Sequence, residues 1–546
     1  MTNKPDSQVL EESARYMLYT FSIWTLGIGG RKGQGDVMIK QLGLRQLVES
    51  ASRDARPAIG DVYCSRERGF HVYGELRLSL KMTAAEDTRD AQRYLSILQD
   101  YATIADACAR ETQAELLEVQ GERIHLLMPC AGADRSAVDR LIGFSISFAQ
   151  LVYAKISAKA GKEFQGFALA ADHGDALILL SGNGSNGSII SLGPAANAPA
   201  KRLGTEQDGS VKTPARHLAL RSDILRAVQY PADAGEWTNV DLGQVAKVFE
   251  RLVDNRLTET LSRAATASLL LESQRGSREV NFVQSAYFME RDFATGQALK
   301  LSAFCMRADL DGFTKEVQEA FDSGNIAALV QKFASILEFA KQFSAAPDRK
   351  IIQLPWAGDC ANLIVLPKYA GESYEAAQMY VPAQLPAAWH SQVSGSDSAK
   401  KPWTQTLGKT RWAVGCAGGE VVDGSSPVIL LATVHTGKRD FMVAAGWAVG
   451  RSSDAIGAED VRGTDTVVPN EDYQALDSQL QDLFEKLDSR FRISRGLTKD
   501  KVRDATVRAS AQQVGPYVVP ADRRTPPAKP HWWRNDSGST SRYRRP

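Results

Sequence analysis

Two stretches decide how this chain is read: LKLSAFCMRADLDGF (Leu299–Phe313) and IIQLPWAGDCANLIVLP (Ile351–Pro367). The first reads as a strand that ends in a turn at Asp311-Gly312, and the second as two strands closed by a tight turn at Gly358. Between them Ile326, Leu329, Val330, Phe333, Ile336 and Leu337 recur at helical spacing. Asp309 thus leaves a strand just before a helix, and Asp359 sits in the hairpin turn that follows. Two carboxylates at the ends of adjacent strands can share a pair of divalent cations, the arrangement that neutralises charge on attacking and leaving oxygens in phosphoryl transfer. The backbone amides of Leu310, Asp311, Gly312, Phe313 and Thr314, at the turn into the helix, are placed to cradle a triphosphate. Taken singly, D-x-D-G and G-D are common surface turns; their pairing inside a repeat gives them weight.

The repeat is internal. GFHVYGELRLSL (Gly69–Leu80) reads as a strand leading to a helix from about Ala84 to Arg110, with Tyr94, Ile97, Leu98, Tyr101, Ile104 and Cys108 on one face. A hairpin follows, LLEVQGERIHLLMP (Leu116–Pro129), with Gly121 where the later copy has Gly358. After a second helix (Ser136–Lys159) come FQGFALAADHGDALILLSG and SIISLGPAANAPAKRL (Ser188–Leu203), matched later by WAVGCAGGEVV (Trp412–Val422) and FMVAAGWAVGRSSDAI (Phe441–Ile456). This order of elements predicts an α+β fold with a largely antiparallel sheet in each copy. Pro214–Glu272 reads as a mostly helical connector and Asp472–Arg495 as a closing amphipathic helix.

At this point the sequence resembles the class III nucleotide cyclases. That family carries D-[IL]-x-G-F, matched by Asp309-Leu310-Asp311-Gly312-Phe313, then G-D in a hairpin, matched by Gly358-Asp359. It also carries a glycine, an Asn four residues on and a basic residue four further on, matched in the first copy by Gly193, Asn197 and Lys201, with Arg202 beside it. The resemblance covers residues 56–205 and 290–460. It implies two tandem cyclase-like domains facing head to tail, with two Mn²⁺ or Mg²⁺ ions on Asp309 and Asp359. It also implies that Asn197 holds the ribose and that Lys201 or Arg202 holds the α-phosphate from the facing copy. The copies depart from the pattern in complementary ways. In the first, Glu122 stands where Asp359 should and S-R-E-R-G-F (Ser65–Phe70) is the nearest relic of the metal motif; in the second, Gly450 and Asp454 replace Asn197 and Lys201. One complete site and one degenerate site are expected.

Family members that act on purines read the base with side chains four before the G-D aspartate and three before the glycine of the Asn motif. Here those places are Pro355 and Ile190, neither of which can supply a side-chain hydrogen bond. Trp356 stands beside the turn, either as a core residue or as one that narrows the pocket toward a single-ring base. The chain thus looks most like the pyrimidine cyclases of bacterial anti-phage (Pycsar) systems. The reading is conversion of UTP to 3′,5′-cyclic UMP, with a separate effector activated by the cyclic nucleotide. Cytidylate cyclase, purine cyclase and a catalytically dead nucleotide-sensing scaffold are the alternatives.

Composition narrows the classes. With 65 Lys+Arg against 64 Asp+Glu the net charge is +1, which argues against a chain that coats nucleic acid. The balance is partly a cancellation, since Pro520–Pro546 holds seven Lys/Arg against Asp522 and Asp536. Met17–Gly30 is too short for a bilayer-spanning helix and lacks a basic flank, so neither a membrane-embedded chain nor a signal peptide is expected. Six cysteines without a C-x-x-C pair read as reduced core residues of a cytoplasmic protein. The expected layout is an N-terminal helical segment (1–55), the first copy (56–205), a helical connector (206–289), the second copy (290–460), a C-terminal helix region (461–515) and a disordered basic tail (516–546). One chain can close one site on itself, so a homodimer is allowed without being chemically required.

Overall fold

The computed structural model describes residues 39–51, 62–79, 87–181, 189–204, 211–244, 255–274, 281–282, 297–345, 349–368, 372–394, 407, 410–419, 428–437, 439–458 and 460–513. Strand β1 (Ile39–Gln41) lies parallel to β2 (Val62–Leu78), and helix α1 (Thr88–Glu111) starts at Asp87, whose side chain accepts from the amides of Arg89 and Asp90. The six apolar residues expected on one face of α1 are all buried. Then come the hairpin β3 (Glu115–Gln120) and β4 (Arg123–Pro129), helix α2 (Arg135–Leu151), β5 (Phe164–Ser181), β6 (Ile189–Leu192) and helix α3 (Pro194–Arg202). After β7 (His217–Arg221), β8 (Trp237–Asp241), helix α4 (Asn255–Gln274) and β9 (Asn281–Phe282), the second half opens with β10 (Gln297–Ser302) and β11 (Phe304–Leu310). It continues through α5 (Phe313–Ser323), α6 (Ile326–Ser344), β12 (Arg349–Gln353), β13 (Ala361–Lys368), α7 (Val381–Ser394), β14 (Trp412–Ala417), β15 (Val428–His435), β16 (Asp440–Ala445) and α8 (Trp447–Ile456). It closes with β17 (Asp465–Pro469), β18 (Glu485–Lys486), β19 (Phe491–Arg495) and α9 (Lys499–Gln513).

The mixed α+β expectation holds, with sheets flanked by helices, and the repeat reaches further than the sequence reading took it. The first sheet runs β3-β4-β2-β5-β7-β8, and the second runs β12-β13-β11-β14-β17-β19-β18. The two share even the parallel step, β5 with β7 and β14 with β17, in otherwise antiparallel order. Pro214–Glu272 is therefore not simply a helical connector, because β7 and β8 extend the first sheet. Asp472–Arg495 is not one helix either: it begins within one short helix, Asn470–Ala475, and continues through a second, Ser478–Gln481, to β18 and β19. Both misreadings have one cause, since short strands such as β7 acquire their form from a long-range neighbour that local periodicity does not reveal. The same limit hid β15. The strand expected over Trp412–Val422 ends at Ala417, and β15 pairs instead with β10 and β16 in a separate four-stranded sheet. Met17–Gly30 and the tail from 516 lie outside the described residues.

Strand register corrects the relic of the metal motif. Gly74 pairs with Ile124, three residues past Gly121, as Ala308 pairs with Ala361, three past Gly358. On the other side Glu75 pairs with Ala168 as Asp309 pairs with Ala413. Gly74-Glu75-Leu76-Arg77-Leu78, not S-R-E-R-G-F, thus stands where the second half has Ala308-Asp309-Leu310-Asp311-Gly312.

Each half lends strands to the other's core. Leu430, Val434, Phe441 and Val443 of β15 and β16 are buried with α1 and α2, while Leu177, Leu179, Ile190 and Leu192 of β5 and β6 are buried with α5 and α6. At about 1.5–3 kcal/mol per fully buried aliphatic or aromatic side chain, this exchange far outweighs any surface ion pair at the boundary. Helix α2, continued to Glu163, is long and apolar enough to cross a membrane by composition, and most of it is buried in the first core.

Candidate active site

The site is assembled at the seam between the halves. β11 carries Asp309 to the end of the strand, where Gly312 turns the chain at φ 72° into α5. A positive φ of this kind suits glycine, and a Cβ at Gly312 would meet nothing within 4 Å, so the turn faces open space. The hairpin between β12 and β13 turns at Gly358, φ 63°, and presents Asp359 beside it. Neither Asp309 nor Asp359 is fully enclosed. Burial pushes Asp309 above the usual carboxylate range; Lys201 of the first half pulls it back and Asp311 pushes it up. Asp359 is pushed up to about 7, first by burial and next by the Asp309 carboxylate, with Lys201 again opposing. Two largely buried carboxylates, of which Asp309 raises Asp359, suit divalent cations, whose charge would relieve both. Among the described residues no group of three or more His, Cys, Asp and Glu side chains is gathered for a metal, so phosphate and water oxygens would complete the coordination.

From the first half, α3 begins after Gly193 and projects Asn197 and Lys201 from one face, since residues four apart stack on a helix. The Nδ2 of Asn197 donates to Thr314 Oγ1 at 3.2 Å, and its Oδ1 lies 3.2 Å from where a Cβ at Gly358 would stand. A side chain at that turn would therefore crowd Asn197. Lys201 acts on both Asp309 and Asp359, whereas Arg202 lies about 100° further round the helix. The structure thus brings together Asp309, Asp359, Gly312, Thr314, Asn197 and Lys201. Of the amides expected to hold a triphosphate, that of Asp311 is taken by the carbonyl of Arg411 at 3.0 Å, and Asp311 Oδ2 accepts from the Gly463 amide. Leu310 pairs with Trp412 in the ladder and its side chain is buried. Gly312, Phe313 and Thr314 remain, as the first amides of a helix without intrahelical partners; the Phe313 ring itself is in the core against Phe333.

Trp356 is a core residue. It is 4% exposed and meets Phe333 edge-on at 5.7 Å, so it does not line a base pocket with its ring. Ile190 is fully buried, and the Pro355 carbonyl accepts from Asn362. His173 and Asp175, left without a role by the sequence, border a cavity of about 270 Å³ with Arg66, Pro194, Gln318 and Phe321. Arg451 and Asp454 approach each other within α8 at 3.9 Å. Sequence reasoning missed Gln120, whose Nε2 donates to the Trp356 carbonyl at 2.9 Å and ties the two hairpins together. It also missed Arg439, whose guanidinium reaches from the β15–β16 hairpin to the carbonyls of Leu116 and Leu117 at 2.7 and 2.8 Å. The only local signal for Gln120 was its place next to Gly121; Arg439 had none.

Comparison with known proteins places the fold. No family model matches the chain, and no curated protein matches it. Among solved structures, a class III adenylyl cyclase-like ATP-binding protein from Pseudomonas aeruginosa is similar over 93% of this chain and 100% of its own, with a TM-score of 0.63 and 14% identity. The adenylyl cyclase CyaB from P. aeruginosa aligns over 33% of this chain and 96% of its own, with a TM-score of 0.25 and 10% identity. The guanylyl cyclase Cya2 aligns over 30% and 78%, with a TM-score of 0.24 and 13% identity. The first of these likenesses, which spans nearly the whole chain, shows that it has the fold of a class III cyclase-like protein.

Proposed function

We propose that this chain is a nucleotide cyclase of class III type, built from two cyclase-like domains head to tail with one complete site between them, and that its substrate is UTP. The observation that carries the reading is the meeting of complementary residues across the seam: Asn197 bonded to Thr314, and Lys201 acting on both Asp309 and Asp359. The exchange of strands supports the head-to-tail pairing, as does a reciprocal approach of turns. The Cβ position of Gly358 lies 4.0 Å from the Ser191 carbonyl, and that of Gly121 lies 3.9 Å from Ala444, at the equivalent place in the other half.

In this reading the ribose 3′-oxygen attacks the α-phosphorus, the 3′-hydroxyl proton passes to solvent water, and the bond from the α-phosphorus to the bridging oxygen breaks to release pyrophosphate. Mn²⁺ or Mg²⁺ held by Asp309 and Asp359 would supply positive charge to the phosphate oxygens and acidify the 3′-hydroxyl. The amides of Gly312, Phe313 and Thr314 bind phosphate oxygens at the start of α5. Asn197, anchored on Thr314, orients the ribose. Lys201 holds the negative charge that moves toward the leaving group, and it is preferred over Arg202 because of its helix face.

UTP is favoured because Pro355 and Ile190 offer a purine edge no side-chain donor or acceptor. Cyclic UMP would then act as a second messenger in anti-phage defence, read by a separate effector. ATP is the second reading, favoured by the whole-chain likeness to a protein described as ATP-binding. Incubation of the pure protein with each of the four ribonucleoside triphosphates and Mn²⁺, with products identified by mass, tests both. Cyclic UMP as the main product supports the first, and cyclic AMP the second. Thermal stabilisation by a nucleotide without product points to a nucleotide-sensing scaffold.

A further inference from the structure

The position in the first half that answers to the carboxylate pair of the second is not vacant. Glu75 and Glu122 stand at the places of Asp309 and Asp359, and Arg123 stands at the place of Cys360. The Nη2 of Arg123 donates to Glu75 Oε1 at 2.7 Å. Arg77, at the place of Asp311, brings its Nε to 3.6 Å from Glu75 Oε2 and donates through Nη2 to the Thr213 carbonyl at 2.8 Å. Glu75 and Arg77 keep only 20% and 15% of their side-chain surface. Glu122 is 8% exposed. The backbone differs as well. β2 continues as a strand to Leu78, with a register shift against β5 between Arg77 and Leu78, where the second half turns at Gly312, and α1 does not begin until Thr88. The facing helix α8 offers Gly450 and Asp454 in place of Asn197 and Lys201.

We propose that Arg123 is a built-in cation occupying the metal position of the first half, so that this half takes neither divalent ions nor a triphosphate and each chain binds one nucleotide. The proposal rests on reading Asp309 and Asp359 as the ion-binding pair of the second half. Two enclosed carboxylates need compensating positive charge. In the second half Lys201 supplies part of it and dissolved cations the rest. In the first half a tethered guanidinium supplies it permanently, and its planar fork matches a carboxylate better than an ammonium does.

The test is made on the Asp309→Asn/Asp359→Asn chain, which removes the second-half site, with Mn²⁺ binding followed by electron paramagnetic resonance and melting by circular dichroism. This chain should bind no Mn²⁺ tightly. Adding Arg123→Gln should lower the melting point without metal, create a Mn²⁺ site at Glu75 and Glu122, and make the melting point rise with Mn²⁺. Adding Glu75→Gln as well should abolish that response while the chain stays folded. No gain of Mn²⁺ binding in a folded Arg123→Gln chain overturns the proposal. If that variant does not fold in metal-free buffer, refolding with and without Mn²⁺ decides: rescue by Mn²⁺ supports the built-in cation, and failure of rescue refutes it. The cyclase reading is judged separately, by whether the unmodified chain forms a cyclic product at all.

Discussion

Asp359→Asn separates what this carboxylate does for the site from what it costs the fold. Asp359 is pushed up to about 7 from an ordinary 3.8. Because its folded value lies above its unfolded one, the contribution of Asp359 to stability is greatest below pH 4 and is lost as the pH rises toward 7. Three pH units at about 1.4 kcal/mol each give about 4 kcal/mol. Asp359 retains some solvent contact, and screening reduces the expected figure to about 2 kcal/mol. The Asn variant keeps the shape and drops the charge, so without metal it should be more stable than the parent by about 2 kcal/mol at pH 8 and nearly equal to it at pH 4. The assay is urea unfolding in chelator at both pH values, with cyclic product measured in parallel. Mn²⁺ should stabilise the parent and not the variant, and the variant should make no product. A variant less stable than the parent at pH 8, or a gap independent of pH, would refute the electrostatic account; near-normal activity would refute the metal assignment.

Asn197→Ala should lower kcat more than it raises KM, as expected for a group that orients the ribose; a rise in KM alone would remove that role. His71, fully buried with its Nδ1 3.0 Å from His125 Nε2, is held down to about 3, mainly by burial. Its folded value lies below its unfolded 6.5, so the unfolded chain gains the proton first and stability falls below pH 6.5, by about 2 kcal/mol from His71 alone at pH 5. Urea midpoints of the parent and of His71→Gln at pH 7 and pH 5 should therefore converge as the pH drops, and a constant difference would count against the buried neutral pair. Arg439→Met removes two charge-assisted bonds between the halves and strands the Leu116 and Leu117 carbonyls, for an expected loss of about 3 kcal/mol in urea unfolding; a loss below about 1 kcal/mol would show that the clasp is dispensable.

The chain's local patterns determined the pieces of the site. Gly312 and Gly358 were legible because a left-handed turn between a strand and a helix, or between two strands, suits glycine whatever the rest of the molecule does. The helical faces of α1 and α6 were legible because their periodicity is local. Asn197 and Lys201 were legible as a pair only through the resemblance to the class III cyclase motif, and the choice between Lys201 and Arg202 waited on the face that α3 turns toward Asp309. The first half's counterpart of β11 could not be read from sequence. S-R-E-R-G-F and G-E-L-R-L both lie on one long strand, and side chains that alternate every residue leave the register undetermined until β4 and β5 are paired with it. Only tertiary structure set Glu75 beside Arg123, joined β7 and β8 to the first sheet, and brought α3 of one half over the carboxylates of the other. Those are contacts between residues far apart in the chain, whose closeness is decided by packing strands of each half into the other's core.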